Sequence, residues 1–192
     1  LSSLAADPQM TAVERGNLLG ECDLIESFLK YNDISEMSRL HRNASAQMTR
    51  PAISIEPSGG WTFGSPSVLM MFHREAGAAE RELAEMDECM PHYYRITGGH
   101  GQGAEHIMRA EADYLQGRFA DAQIGLEGAY AAAESNAQEN MVLCCDFLSW
   151  RLSLAAGIPP RCTPQQRKET LSRQHYAAWL HLWGSAAAYY YA

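Results

Sequence analysis

Apolar residues recur along this chain at the spacing of an α-helix, with polar residues between them. In the first such segment, Leu18, Cys22, Ile25 and Leu29 follow one another at steps of four, three and four residues. These steps place the four side chains on one face of a helix that we expect over 11–31. No segment alternates apolar and polar residues for long, as a half-buried strand does. The pattern therefore predicts an all-α fold.

The next segments extend the helical pattern. Asp33 is placed to cap a second helix. The apolar side of that helix consists of Ile34, Met37, Leu40, Ala44 and Met48. A short helix is predicted over 68–72 and a long one over 77–96. The long helix carries an acidic face that we assign to solvent, formed by Glu80, Glu82, Glu85, Asp87 and Glu88.

The segment over 104–135 gives the clearest pair of helices, joined by a turn at Gly117. The predicted buried faces are Ala104, Met108, Ala112 and Leu115 on the first helix, and Phe119, Ala122, Leu126, Ala129 and Ala133 on the second. Small residues let two helices approach closely, so we expect Ala122 at the crossing. The next helix is predicted from Cys145, Leu148, Leu152 and Ala155, and two more are expected over 163–173 and 176–190.

Two markers repeat along the chain at a nearly constant interval. Gly77, Gly117 and Gly157 are forty residues apart, and each lies beside the end or the start of a predicted helix. Helical segments begin near Ser65, Gly101, Gln138 and Gln174, at intervals of 36, 37 and 36 residues. Such a period is typical of a helical solenoid. We therefore expect one domain over 1–192, a tetratricopeptide-like αα-superhelix of helix-turn-helix repeats.

A loop insertion over 49–65 interrupts the repeats. It is rich in proline and glycine and carries Trp61 and Phe63, and the helix that follows it leads into His73 and Arg74. Long insertions in repeat arrays collect on one face, often the binding face. We expect Trp61, Phe63, His73 and Arg74 to form the wall of a ligand pocket. The alternative is that the aromatic side chains only fill space against the helices.

Composition and charge narrow the function classes. The 192 residues are 46 % hydrophobic and 20 % charged, and the net charge of −8 argues against direct contact with nucleic acid. No signal peptide is visible, and no apolar run approaches the ~20 residues of a membrane span. The five cysteines are odd in number and show no C-x₂-C spacing. We expect a cytoplasmic protein with reduced, buried thiols and no contact with a membrane.

The chemistry-bearing residues do not form a recognisable catalytic or metal site. The glycine-rich segment over 98–103 precedes a helix but lacks the Lys-Ser/Thr of a phosphate loop. The seven histidines include no H-E-x-x-H motif, and Cys144 and Cys145 lie inside an apolar helix. We therefore expect no enzyme, no metal and no cofactor.

Three stretches carry a resemblance to a known family. These are WTFGSPSVLMMFHRE, ELAEMDECMPHYYRITGGHGQGAEHIMRAEADYLQGRFADA and ENMVLCCDFLSWRL. They resemble the helical-repeat region of large bacterial LuxR-family, MalT-like transcriptional regulators, over about 17–154. In that family an ATPase module precedes the repeats, a helix-turn-helix that reads DNA follows them, and the repeats sense an inducer.

The resemblance implies a role for this chain without implying any ligand residue. The sequence has no G-x-x-x-x-G-K-[ST] motif and no basic recognition helix, and it begins at Leu1 and stops at AAAYYYA. We therefore expect a fragment of a longer regulator, in which the repeats bind a small-molecule inducer or relay a signal between the other modules. The alternative is a stand-alone tetratricopeptide-like adaptor that binds a peptide or protein partner.

Overall fold

The computed structural model describes residues 8–30, 32–57, 59, 66–173 and 180–191. Over these ranges every regular element is an α-helix, and none is a strand. The helices are α1 Ala12–Leu29, α2 Ile34–Gln47, α3 Val68–Phe72, α4 Ala79–Thr97, α5 Ala104–Leu115, α6 Phe119–Ser135, α7 Glu139–Ala156, α8 Pro164–Arg173 and α9 Leu180–Tyr191. The predicted all-α class is confirmed for the described part of the chain.

The first two helices begin at side-chain caps that satisfy otherwise unpaired amides. At the start of α1, the Thr11 hydroxyl accepts from the Glu14 amide at 3.2 Å, and the Glu14 carboxylate accepts from the Thr11 amide at 2.8 Å. This reciprocal pair is a capping box. At the start of α2, Asp33 accepts from the Glu36 amide at 3.1 Å, as its place in the sequence predicts.

The helix starts follow the predicted period where they are described. Helices α3, α5 and α7 begin at Val68, Ala104 and Glu139, close to the predicted positions. The fourth predicted start, at Gln174, lies outside the described residues. The three glycines forty residues apart all adopt left-handed backbone angles, with φ of 84° at Gly77, 76° at Gly117 and 68° at Gly157. Only glycine takes this conformation without steric strain, so the repeated glycine marks a repeated turn.

The chain divides into two compact units. The N-terminal unit draws on Leu1–Gly59 and Phe72–His100, and the C-terminal unit on Gly60–Met71 and Gly101–Ala192. The predicted loop lies outside the helices wherever it is described, and its Ala52 amide donates to the carbonyl of Ile96 at 2.7 Å. That bond anchors the start of the loop on α4. The single domain over 1–192 stays a prediction.

In the N-terminal unit, α1 packs on α2 and α2 packs on α4. The apolar stripe of α1 is not its buried face, because Ile25 is 43 % exposed and Leu29 is 76 % exposed. The buried residues are instead Asn17, Gly20, Leu24 and Ser27. Glycines explain the choice of face. A Cβ atom at Gly16 would lie 2.8 Å from the carbonyl oxygen of Gln47, so α1 approaches α2 along its smallest side chains.

In the C-terminal unit, α5 and α6 form the predicted pair and α7 packs against both. The two helices approach closely at Gly125, where an added Cβ atom would lie 3.2 Å from the Cβ of Ala110. Ala122 is fully buried, as predicted, whereas Leu115 is 61 % exposed because it lies at the end of α5. Phe147 and Trp150 of α7 pack against Ala186 and Ala187 of α9.

Helix α7 is enclosed by the rest of its unit. Every residue from Asn140 to Leu152 is buried, including two charged ones. The sequence predicts a single apolar face ending at Ala155, but Ala155 is exposed and the polar residues between the apolar ones are covered as well. A helix that is buried all round must hold most of its polar side chains in internal bonds. Among the buried side chains that the structure describes, the amide of Asn140 is the exception, since neither its oxygen nor its nitrogen has a hydrogen-bond partner.

Candidate functional site

The predicted ligand site is described only in part. Trp61 and Phe63 lie outside the described residues, whereas His73 and Arg74 directly follow α3. Nδ1 of His73 lies 2.5 Å from Oε2 of Glu82, and Arg74 donates to the carbonyl oxygen of His73 at 2.9 Å. The structure therefore brings His73 and Arg74 together at the start of α4. The binding role of all four residues stays a prediction.

The pairing of His73 corrects the prediction for the acidic face of α4. Glu82 is only 4 % exposed, although its position in the acidic run assigned it to solvent. His73, in the segment that follows α3, lies against its carboxylate.

A chain of hydrogen bonds crosses the three packed helices of the N-terminal unit. Nδ1 of His41 lies 2.9 Å from Sγ of Cys89, and Nε2 lies 2.9 Å from Oγ of Ser27. The Ser27 hydroxyl donates to the carbonyl of Leu24 at 2.6 Å, so it accepts from Nε2–H of His41. Nδ1 is then the acceptor for the Cys89 thiol.

The chain continues from the sulfur to the surface. Ser38 is hydrogen-bonded to Cys89, and Arg42 donates to the Ser38 hydroxyl at 2.7 Å. Arg42 also pairs with Glu85 at 3.1 Å and with Glu88 at 2.9 Å, so two residues of the acidic run hold a cation of α2. Every buried side-chain nitrogen and oxygen atom of this hydrogen-bond chain has a partner, as the cost of burying polar groups requires.

Burial keeps both members of the thiol–imidazole pair neutral. Removal from water lowers the pKa of His41 to about 4 and raises the pKa of Cys89 to about 12. The thiolate is the nucleophilic form of cysteine, so the closed fold holds Cys89 in an unreactive state. Tyr93, one turn after Cys89 on α4, is also buried, and its hydroxyl lies 2.7 Å from Nδ1 of His100.

A buried carboxylate organises one side of α7 in the C-terminal unit. Glu111 of α5 is fully buried and accepts from the Leu69 amide at 2.8 Å and from Arg151 at 3.3 Å. The Arg151 guanidinium lies over the ring of Tyr114, 4.3 Å from its centroid. Burial raises the pKa of Glu111, while the Leu69 amide and Arg151 oppose that rise. The carboxylate thereby holds the first turn of α3 against α5.

A second carboxylate organises the other side of α7. Asp146 is fully buried and accepts from the Tyr130 hydroxyl at 2.8 Å and from Nε of Arg167 at 2.5 Å. The Cys162 thiol donates to it at 3.4 Å. Burial raises the pKa of Asp146, and the nearby guanidinium of Arg167 opposes that rise. Asp146 therefore joins α6, α7 and α8 in one polar cluster.

The glycine-rich segment is used in packing between helices. The Gly101 amide donates to Oε1 of Gln138 at 2.8 Å, which uses one of the amides that a phosphate loop would offer. A Cβ atom at Gly103 would lie 3.2 Å from the carbonyl oxygen of Ala129. With φ of 102° at Gly103 as well, close approach and backbone angle both explain the glycine.

The described part of the chain bears on three other kinds of site: a metal centre, a membrane span and a surface pocket. No three His, Cys, Asp or Glu side chains there are grouped closely enough to hold a metal ion. None of the helices described has an apolar stretch long enough to cross a membrane. An open depression of about 420 Å³ on α8 is lined by Gln165, Lys168, Glu169 and Ser172. Two of these side chains pair with each other, since Gln165 donates to Glu169 at 3.0 Å.

Comparison with protein-family models, with curated proteins and with solved structures found no match to this chain. The resemblance to LuxR-family repeats therefore stays a prediction that rests on the sequence stretches themselves.

The buried clusters were not predicted, although the sequence carries a signal for each. His41 lies on the apolar side of α2, one turn after Met37, and Cys89 lies between Met86 and Met90 on α4. A polar residue on an apolar stripe must find a partner. The sequence does not show which one, because His41 and Cys89 are 48 residues apart.

Proposed function

We propose that this chain is a helical-repeat sensor and scaffold module, of the kind that LuxR-family regulators carry between an ATPase and a DNA-binding module. It would bind a small-molecule inducer or relay a signal between those modules. The observation that carries the proposal is the packing of α5, α6 and α7. A pair of helices joined by a left-handed glycine is followed by a helix that begins 35 residues after the first and packs on both. This arrangement supports a tetratricopeptide-like superhelix.

The enclosure of α7 favours the sensor over the adaptor. An adaptor of the tetratricopeptide type offers a face of its helices to a peptide. Over Asn140–Leu152, every residue of α7 is covered by the protein's own side chains. This leaves that helix no free face for an extended peptide, whereas a sensor needs only a local pocket.

The buried carboxylates suit a relay. Glu111 joins α5 to α7 and to the first turn of α3, and Asp146 joins α7 to α6 and α8. Paired buried groups impose one arrangement of the helices, because any shift leaves a charge unpaired. A ligand that favoured another arrangement would change several helix contacts at once.

A thermal-unfolding screen of the 192-residue chain tests the ligand class. We expect one class among sugars, amino acids and nucleotides to raise the Tm in a saturable way, because a ligand that binds only the folded state stabilises it. The Arg74→Ala variant should weaken the response. Arg81→Ala is the matched control, since Arg81 is also exposed and makes only a 3.5 Å surface pair with Glu75.

The sequence of the complete reading frame tests whether this chain lies between an ATPase module and a DNA-binding module. The proposal requires a phosphate-loop ATPase sequence before the repeats and a helix-turn-helix sequence after them. A frame without either module, together with micromolar binding of a peptide and no small-molecule response, would establish the adaptor in its place.

A further inference from the structure

The side-chain amide of Asn140 is buried without a hydrogen-bond partner. Asn140 is the second residue of α7 and is fully buried, yet neither its Oδ1 nor its Nδ2 is bonded. Over the described ranges, the other buried side-chain nitrogen and oxygen atoms all have partners. A buried amide that makes no bond is costly, so its place in a core that is otherwise fully bonded points to a partner from outside the chain.

Asn140 lies on the side of α7 that faces α5. With Cys144 and Arg151 it forms one stripe of the helix, at steps of four and seven residues. Arg151 bonds to Glu111 of α5 at 3.3 Å, which fixes the direction of that stripe. The buried residues in the first turns of α5 are Ala104, Ile107 and Met108, which are all apolar. Because helical side chains tilt toward the N-terminus, the Asn140 amide is directed at the first turn of α7.

That first turn is also left without a side-chain cap. The N-cap residue, Gln138, makes no cap bond. Its side chain instead accepts from the Gly101 amide at 2.8 Å and donates to the carbonyl of Asn136 at 3.2 Å. The first amides of a helix have no partner within it and favour an acceptor. An uncapped helix start and an unbonded, fully buried side-chain amide therefore coincide at Asn140.

We propose that the start of α7 binds a small uncharged molecule with a carboxamide edge, and that Asn140 is the residue that recognises it. The amide of asparagine offers a donor at Nδ2 and an acceptor at Oδ1 side by side. A primary carboxamide or a lactam presents the complementary pair and satisfies both atoms at once. An anion would satisfy only Nδ2 and would leave Oδ1 buried without a donor. The assignment goes beyond the proposed function, because it holds for a sensor and for an adaptor alike.

The binding test uses acetamide as the probe and the ¹⁵N-labelled 192-residue chain. The side-chain NH₂ signals of Asn140 and the backbone signals of Glu139 and Met141 should shift in a saturable way at millimolar acetamide, as expected for so small a ligand. Acetone and acetate are the matched probes, since both lack an N–H donor and should leave these signals in place. Shifts that never saturate would overturn the proposal, and shifts with acetate but not with acetamide would replace it by an anion site.

Two variants of buried asparagines complete the test. Asn140→Leu should abolish the acetamide shifts at Glu139 and Met141, and it should raise the Tm by about 2–4 °C because it removes an unbonded amide. Asn17→Leu is the matched control: Asn17 is 7 % exposed and accepts from the Thr49 amide at 2.8 Å. Its loss should lower the Tm and leave the acetamide shifts unchanged. If Asn140→Leu does not fold, Asn140→Ala takes its place in the binding measurement, with the same expected loss of the shifts.

Three outcomes would refute the site. One is an acetamide response that survives the loss of the Asn140 amide. Another is a Tm for Asn140→Leu that falls as far as that of Asn17→Leu, which would mean that the amide already has a partner in the free chain. The third is a long-lived water detected by its nuclear Overhauser effect at the Asn140 NH₂ that persists at saturating acetamide. No step of this test uses Arg74 or the flanking modules, so its failure would leave the proposed sensor function standing.

Discussion

At the scale of single residues, the described core is specified by polar side chains as much as by apolar ones. His41, Glu111 and Asp146 are each buried between helices that are distant in sequence, and each has its partners on those helices. A buried polar group is costly in every arrangement except the one that pairs it. These residues therefore select which helix faces meet, a choice that apolar stripes leave open.

The titration of His41 gives a prediction for stability against pH. Burial lowers the folded pKa from 6.5 to about 4, so the unfolded chain takes up the proton first as the pH falls. The contribution of His41 is complete above pH 6.5 and is lost between pH 6.5 and pH 4, amounting to about 3 kcal/mol. Urea unfolding at several pH values should show this fall in the parent and a flatter profile in His41→Gln.

A second residue-scale prediction concerns Ala122. It is fully buried between helices, whereas Ala131 of the same helix is exposed. Ala122→Leu should lower the free energy of unfolding by roughly 1–3 kcal/mol, because three extra carbons do not fit a filled helix interface. Ala131→Leu should change it by less than about 0.5 kcal/mol. Equal stability of the two variants in urea titrations would contradict the packing of α6.

At the scale of elements, backbone conformation separates glycines that sequence alone treats alike. Gly117 adopts φ of 76° in the turn between α5 and α6, whereas Gly128 lies inside α6 with open space around it. Gly117→Ala should cost about 1 kcal/mol, since alanine resists the left-handed region. Gly128→Ala should gain about 0.5–1 kcal/mol, since alanine favours the helix. If thermal unfolding shows that both substitutions raise the Tm, or that both lower it, one of the two backbone assignments is wrong.

The elements also show where prediction from sequence stops. Helix starts near Ser65, Gly101 and Gln138 could be predicted, because apolar spacing and left-handed glycines are local features. The buried face of α1 could not. Its apolar stripe is the more prominent feature of the sequence, but the helix buries the face that carries Gly16. That face is buried because only there can the backbone of α1 come close to α2. The burial of Glu82 could not be predicted either, since the residue that covers it, His73, lies on another segment.

At the scale of the whole molecule, the division into two units has no local signal. Residues 60–71 belong with 101–192 although 72–100 lies between them, and Glu111 supplies the bond that holds Leu69 in the C-terminal unit. Such pairing depends on side chains that are 42 residues apart. The candidate site has the same character. The sequence identifies His73 and Arg74 as candidate ligand-binding residues, but it does not show that His73 bonds to Glu82.

The charge of the molecule leads to a last prediction, that this chain does not bind duplex DNA. The net charge is −8, and many guanidinium groups are neutralised by carboxylates within the fold. The pairs are Arg42 with Glu85, Arg118 with Asp113, Arg151 with Glu111 and Arg167 with Asp146. DNA binding depends on cations that replace the counterions of phosphate, and these arginines would have to abandon their own partners to do so.

Fluorescence anisotropy with a labelled duplex measures this directly. At about 50 mM salt, where electrostatic association is strongest, the 192-residue chain should leave the anisotropy unchanged up to micromolar concentration. A basic DNA-binding domain at the same concentration serves as the positive control. Binding that is tight at low salt and falls steeply as salt rises would contradict the prediction, because it would require a cationic surface that the acidic composition and the internal pairing of arginines both oppose.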